Sequence, residues 1–267
     1  MTETPPSVDT SVAHVARIWN YWLGGKDNYA ADRETGDEIA RVVPEVRELA
    51  NAARAFLGRA VRYLAGEAGV RQFLDIGTGM PTVNNTHEVA QAVAPESRVV
   101  YVDNDPLVLA HANALLVGTE EGSTDYIHAD LRDPATIIEA ARRRLDLTRP
   151  VALMLMGVLE FVTDDDEARG IVRQLLEALP AGSYLALYDG SYVIYEERSA
   201  EMARMWNESG NTPLVLRSPE QLAGFFEGTE LVDPGVVSVS QWRPDPTHIG
   251  SPREVDAFCG VARKPHA

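Results

Sequence analysis

The chain has 267 residues, 45% of them apolar and 24% charged, enough to bury the core of one large α/β domain. Forty acidic against 24 basic side chains give a formal charge of −16, a field that repels phosphate backbones and anionic lipid surfaces and disfavours nucleic acid and membrane as partners. No run of about 18 apolar residues is present to span a bilayer, "MTETPPSVDT" lacks the regions of a signal peptide, and the single cysteine, Cys259 in "FCGVA", excludes an intramolecular disulfide and a cysteine-built zinc site. A cytoplasmic protein with a buried core thiol and no metal is expected.

Val8, Val12, Val15, Trp19 and Trp22 recur at spacings of 4, 3, 4 and 3, which predicts one helical face over residues 8–23. Gly24 and Gly25 end that helix, since glycine takes the left-handed C′ conformation readily. A helix follows over 32–43 as far as Pro44. Val46, Leu49, Ala53, Phe56, Ala60 and Leu64 mark a long amphipathic helix closing near Gly66. Residues 1–66 therefore read as a strandless helical extension, and 67–267 as the main domain.

From residue 72 short apolar strands alternate with helices: "QFLDIG", "RVVYVD", "DYIHAD", "VALMLMG" and "YLALYDG" are separated by helical segments near 83–94, 106–117, 134–145 and 164–179. Continuous apolar strands between amphipathic helices predict βαβ crossovers and a parallel sheet covered on both faces, a doubly wound Rossmann-like fold. Helices near 192–208 and from "SPEQLAGFF" precede "ELVDPGVVSVS" and "VDAFCGVARK". No helix separates these last two strands, so they pair as an antiparallel hairpin and bring the expected count to seven.

"FLDIGTGMPT" runs from the first strand into the first crossover helix, where glycines let backbone approach a ligand and helix N–H groups point outward. Gly77 and Gly79 form a G-x-G core. Thr82 stands where a nicotinamide-binding G-x-G-x-x-G needs its third glycine, and Asp75 precedes the turn, favouring a ligand with positive charge nearby. The second strand ends in Asp103, 26 residues after Gly77, where a carboxylate can accept from both ribose hydroxyls. The third ends in Asp130, placed to read an adenine edge. One aspartate at a strand end reads as a turn former or helix cap; three in succession on one sheet edge, beside a glycine turn, read together as a nucleotide site.

"LDIGTGMP", "VVYVDNDP", "IHADLRDP" and "LMLMGVLEFV" are similar to the four successive motifs of class I S-adenosylmethionine-dependent methyltransferases. With "RIWNYWLGGKDNYAADR" and "RSPEQLAGFFEGTELVDPGVV", the chain resembles over nearly its whole length the actinobacterial S-adenosyl methyltransferase family, formerly a domain of unknown function. It departs from the usual first motif at Pro81, where a third glycine is common. The resemblance implies S-adenosylmethionine as cofactor, with Asp75, Gly77, Thr78 and Gly79 along its methionine and ribose side. Asp103 would hold the ribose, Asp130 and Leu131 would meet adenine with support from Asn104, and Gly157 would allow close passage after strand 4.

Methyl transfer from a sulfonium needs alignment and exclusion of water, and a general base only where the nucleophile is protonated. Glu160 after strand 4 and Asp189 after strand 5 are the candidates for that base; each also reads as a turn or helix-terminus residue. His128, within strand 3, reads as a packed core histidine. The "NPPY" tetrapeptide of amino-group nucleic acid methylators is absent after strand 4, as is the cysteine of cytosine-C5 methylators, which together with the charge points to a small-molecule acceptor, with a protein side chain as the second alternative. Tyr188, Tyr192, Tyr195, Met202, Met205 and Trp206 form either an apolar substrate wall or helical core packing. The rival readings are a nicotinamide-dependent oxidoreductase, against which Asp75 and Thr82 count, and a cofactor-binding regulatory module without turnover.

In "RIWNYWLGGKDNYAAD" the tryptophans belong to the apolar stripe, while "GGKDN" exceeds what a helix terminator needs. Helices before the first strand of class I methyltransferases commonly lie over the methionine end of the cofactor. Tyr21, Lys26 and Asn28 are therefore expected to close the pocket, with Lys26 or a glycine N–H meeting the cofactor carboxylate.

Overall fold

The computed structural model describes residues 9–105, 107, 108, 118–209, 211–245 and 252–266. Three helices precede the first strand: α1 (Val15–Trp22), α2 (Ala30–Val42) and α3 (Val46–Gly66). The first is shorter than the stripe predicts. Asp9 accepts from the backbone N–H and hydroxyl of Ser11, a local turn that competes with helix, and Val12 lies outside α1 with 58% of its surface exposed. Val8 lies outside the described residues, and the helix starts instead after His14, whose Nδ1 accepts from the Ala16 N–H.

Ile18 and Trp22 carry the buried face of α1, packing with Ile39 of α2, Val43 just past its end, and Val46 and Ala50 at the start of α3. Each of the larger aliphatic side chains among them contributes about 1.5–3 kcal/mol. Helix α3 turns its remaining apolar residues, among them Phe56, Ala60 and Leu64, onto one face of the central sheet, with Trp242 beside them.

Five strands of that sheet are parallel: β1 (Gln72–Ile76), β2 (Arg98–Asp103), β3 (Ser123–His128), β4 (Ala152–Met156) and β5 (Tyr184–Gly190), in spatial order β3-β2-β1-β4-β5. Helix α4 (Thr86–Val93) follows β1, α5 (Pro134–Ala141) follows β3, α6 (Asp165–Glu177) follows β4, and α7 (Glu196–Glu208) and α8 (Pro219–Ala223) follow β5. The helix expected near 106–117 lies almost wholly outside the described residues. Every residue of β1 and β4 is buried, as continuous apolar strands require when helices cover both faces.

The C-terminal pairing is antiparallel as expected, with one difference. Strand β8 (Ala257–Arg263) lies along β5, but its hairpin partner is split into β6 (Glu230–Leu231) and β7 (Val237–Ser238). Pro234 has no N–H for the ladder and Gly235 takes φ +87°, so the run cannot stay one strand. The described residues thus form eight strands, where seven were expected. Cys259 sits fully buried in β8, and burial pushes its thiol pKa well up.

Strand β1 is flanked by β2 and β4, the place where the winding of the sheet reverses. The carboxyl ends of these strands open a crevice there, and that is where a ligand of such a sheet binds.

Candidate functional site

The turn after β1 can be built only with glycine. Gly77 takes φ +73°, its N–H donates to the Val102 carbonyl at 2.8 Å, and a Cβ on it would lie 2.3 Å from Cγ2 of Val158. Gly157, after β4, takes φ +69°, and a Cβ there would come within 3.0 Å of the Tyr188 ring and hydroxyl. Two bare backbone segments therefore face each other across the crevice, leaving a cavity of about 240 Å³.

Asp75 lies at its base. One oxygen, Oδ2, accepts from the Thr86 hydroxyl at 2.6 Å, while Oδ1 has no partner among the described residues and is not sealed off. Burial raises its pKa to about 6, against the opposing influence of Thr86 and of Arg54 nearby. Arg54 comes from α3 and lines the same cavity; its Nε and Nη2 donate to the Val83 carbonyl, and Nη2 also to Asn85 Oδ1. A half-buried cation and a buried anion thus face one end of the cavity.

Asp103, at the end of β2, receives the Gly79 N–H on Oδ2 at 2.9 Å and the Asp105 N–H on Oδ1 at 3.0 Å. Burial pushes its pKa up and these two donors pull it back. Asn104 donates to Asp130 Oδ2 at 3.3 Å, Asp130 Oδ1 accepts the Arg132 N–H, and Leu131 is buried beside them. Thr78 shares a 2.9 Å hydrogen bond with the Tyr126 hydroxyl. All nine residues expected on the strand edges line this one cavity: Asp75, Gly77, Thr78, Gly79, Asp103, Asn104, Asp130, Leu131 and Gly157.

Residues 1–265 match the family described as S-adenosyl methyltransferase. The chain belongs to that family. Its cofactor is S-adenosylmethionine and its reaction is methyl transfer. Two solved structures are similar throughout: a DUF574 family protein from Streptomyces avermitilis MA-4680, 50% identical over 97% of this chain and 100% of that one with TM-score 0.92, and a candidate methyltransferase from Thermobifida fusca YX, 39% identical over 100% of both chains with TM-score 0.89. The N-methyltransferase NodS from Bradyrhizobium japonicum WM9, 15% identical over 83% of this chain and 99% of that one with TM-score 0.50, shares the fold. No curated protein matches the chain.

Helix α1 and its flanking residues line this cavity, but not with the side chains expected there. His14, Val15, Ala16, Trp19, Asn20 and Leu23 line it, whereas Tyr21, Lys26 and Asn28 do not. Tyr21 turns away to Gly36, donating its hydroxyl to Asp37 and accepting from Arg47. Lys26 is exposed. The glycine N–H groups are committed within the helix cap, Gly24 to the Tyr21 carbonyl and Gly25 to that of Asn20.

The rest of "GGKDN" folds around the amide of Asn20, which is 2% exposed. Its Oδ1 accepts from the Asp27 N–H and from Asn28 Nδ2, both at 3.0 Å. Because a backbone N–H can only donate, the amide is fixed with oxygen toward the loop, and Nδ2 is left without a partner among the described residues at the cavity wall. Gly25 permits this, since a Cβ there would lie 2.4 Å from Asn20 Nδ2. Neither Asn20 nor Arg54 stands out in the sequence, being single polar residues within amphipathic helices.

The two candidate bases separate. Glu160 is in a short 3-10 turn, Leu159–Phe161, and lines a second cavity of about 80 Å³ that shares Val15, Trp19, Phe161 and Tyr188 with the first. Asp189 lines neither cavity. It is sealed in the core 3.7 Å from Arg217, a fully buried arginine that also bonds Asp165 and the Leu159 and Val162 carbonyls. Tyr188, Tyr195, Met202 and Trp206 line one or both cavities; Tyr192 and Met205 line neither. His128 is exposed rather than packed in the core, because β3 is the edge strand, and its Nε2 lies 3.0 Å from the Asn104 carbonyl oxygen.

Proposed function

We propose that the chain methylates a small molecule, as a cytoplasmic enzyme without a nucleic acid partner, with S-adenosylmethionine held in the larger cavity along the ends of β1, β2 and β4. The observation that carries this reading is the convergence of nine strand-edge residues from four segments on one cavity. The residues fit the group: two glycine turns at positive φ leave room that any Cβ would fill, and Asp75 Oδ1 and Asn20 Nδ2 are uncommitted polar atoms at its wall. The formal charge of −16 supports an acceptor other than nucleic acid. Among the described residues no helix is long and apolar enough to cross a membrane.

Each residue then has a chemical task. The Asp103 carboxylate accepts from the ribose hydroxyls, and Asn104, Asp130 and Leu131 frame the adenine. Gly77, Thr78, Gly79 and Gly157 let the backbone approach. Asp75 takes the ammonium of the methionine moiety, while Arg54 and the Asn20 amide N–H groups take its carboxylate. The bound cofactor supplies a methyl group on a sulfonium, already activated for displacement. Residues 1–66 act on the domain 67–267 as its extension: α1 closes the cavity over Gly79, a Cβ on which would sit 3.8 Å from Ala16, and so excludes water.

Calorimetry on the full chain tests the reading. S-adenosylhomocysteine is expected to bind and NAD is not. Binding of NAD without S-adenosylhomocysteine would overturn it.

A further inference from the structure

The second cavity lies against the first, and its walls differ in kind. Ile18 and Trp22 of α1, Ile39 of α2 with Val43 just past its end, and Met202 and Trp206 of α7 give it an almost wholly apolar surface. Its volume of about 80 Å³ is the room of roughly two or three water molecules, enough for a short branched chain or one edge of a ring. Two polar groups of its wall are uncommitted, Glu160 and Tyr188, the second of which also lines the cofactor cavity. Glu160 Oε2 accepts the Gly190 N–H at 3.0 Å, while Oε1 takes no hydrogen bond from the described residues and, unlike both oxygens of Asp189, is not sealed off. The Tyr188 hydroxyl likewise has no partner and is not sealed off; it lies beside Gly157, within 3.0 Å of where that residue's Cβ would stand. Tyr188 is held by ring contacts with Trp19 and Phe56.

The other charged groups around this chamber are spoken for. Glu45 is bridged by Arg198 and approached by Arg253. Asp256 accepts from the Ile194 and Tyr195 N–H groups and from Ser199. Arg217, behind Glu160, serves Asp165 and Asp189. Among the described residues the chamber therefore offers a carboxyl and a phenol but no uncommitted cation, and an anion seated there would be buried beside Glu160 without compensation.

We infer that the chamber between α1, α2 and α7 is the acceptor site, and that it takes a small, mainly apolar amine or alcohol whose N–H or O–H faces Glu160 and Tyr188. This rests on the reading of the larger cavity as the cofactor site. The acceptor's lone pair forms the new bond to the methyl carbon as the electron pair of the carbon–sulfur bond returns to sulfur, and the acceptor's proton passes to Glu160 Oε1. Burial raises the pKa of Glu160 to about 7, with Asp189, Tyr188 and Arg217 as its charged or titratable neighbours, so the group can hold that proton near neutrality. Tyr188, pushed above the ordinary phenol range, stays a hydrogen-bond donor.

Three probes with one hydrocarbon body test this: 3-methylbutylamine, 3-methylbutanol and 3-methylbutanoate, titrated by NMR into the full chain saturated with S-adenosylhomocysteine. The amine and the alcohol are expected to bind and the acid at least tenfold more weakly. Met202→Trp should fill the chamber and abolish binding of both while changing S-adenosylhomocysteine affinity less than twofold. Glu160→Gln should weaken the amine at least tenfold and the alcohol less than threefold. With S-adenosylmethionine, mass spectrometry should find methyl transferred to the amine or the alcohol, at least tenfold more slowly in Glu160→Gln. Equal binding of the acid, binding unchanged by Met202→Trp, binding without transfer to either probe, or an undiminished rate in Glu160→Gln would overturn the assignment. S-adenosylhomocysteine bound normally with no probe bound would overturn the chamber alone. Failure of S-adenosylhomocysteine itself to bind would overturn the cofactor reading beneath it.

Discussion

Arg17 and Asp32 are joined by a buried ion pair in which Nε of Arg17 lies 3.1 and 2.9 Å from the two oxygens of Asp32. They are the first and last residues of "RIWNYWLGGKDNYAAD", so the pair closes the segment into a loop. Asp32, fully buried, also accepts the N–H groups of His14 and Tyr29, which tie down the start of α1 and the start of α2. One carboxylate thus fixes the helix that lines the larger cavity.

Asp32→Ala is expected to destabilise the protein by about 3–5 kcal/mol, because it leaves a buried guanidinium without its counter-charge and two backbone donors without partners. Urea denaturation measures this. The roof helix should loosen as well, so S-adenosylhomocysteine affinity should fall although Asp32 does not line the cavity.

Asn20, Gly25 and Lys26 give a graded test of the roof. Asn20→Ala removes an amide aimed at the cavity and is expected to weaken S-adenosylhomocysteine about tenfold, near 1.4 kcal/mol. Gly25→Ala should produce a similar loss by pushing the Asn20 amide aside. Lys26→Ala should leave affinity within twofold, since Lys26 is exposed. Calorimetry on the three variants decides whether the amide or the cation makes the contact.

The sheet and its edge were legible because they rest on local rules. Apolar runs such as "VALMLMG" can only be buried strands, and Asp75, Asp103 and Asp130 each announce a strand end where a doubly wound sheet binds its ligand. The roof was legible only as a segment. Periodicity shows that α1 has a buried face but not which flank meets the cavity. Asn20 is defined by hydrogen bonds to Asp27 and Asn28 that no spacing rule predicts. Arg54 enters from a helix some twenty residues before the glycine turn, and Arg217 reaches Asp189 from nearly thirty residues beyond it. Such long-range pairings depend on the packed fold.

Asp103→Asn is expected to lower S-adenosylhomocysteine affinity by about 1.5–3 kcal/mol, the worth of hydrogen bonds to a charged acceptor. The melting temperature of the free protein should fall as well, because the carboxylate holds the Gly79 and Asp105 N–H groups. Differential scanning calorimetry and titration calorimetry on the same variant separate the two effects.

With the cofactor's ammonium on Asp75, as proposed, binding depends on pH. The folded pKa of Asp75, about 6, stands above the unfolded value of 3.8 because burial penalises the charged form. A carboxyl raised in this way contributes stability that is fully present below pH 3.8 and is lost as pH rises through about 6. Relative to Asp75→Asn, the free protein should therefore lose about 3 kcal/mol across that window, which urea denaturation at several pH values measures as a difference between the two proteins. The bound ligand reverses the slope. Its ammonium favours the ionised carboxylate, so S-adenosylhomocysteine affinity should rise between pH 5 and pH 7 in the wild type and stay flat in Asp75→Asn. Parallel pH dependences in the two proteins would place the ammonium away from Asp75.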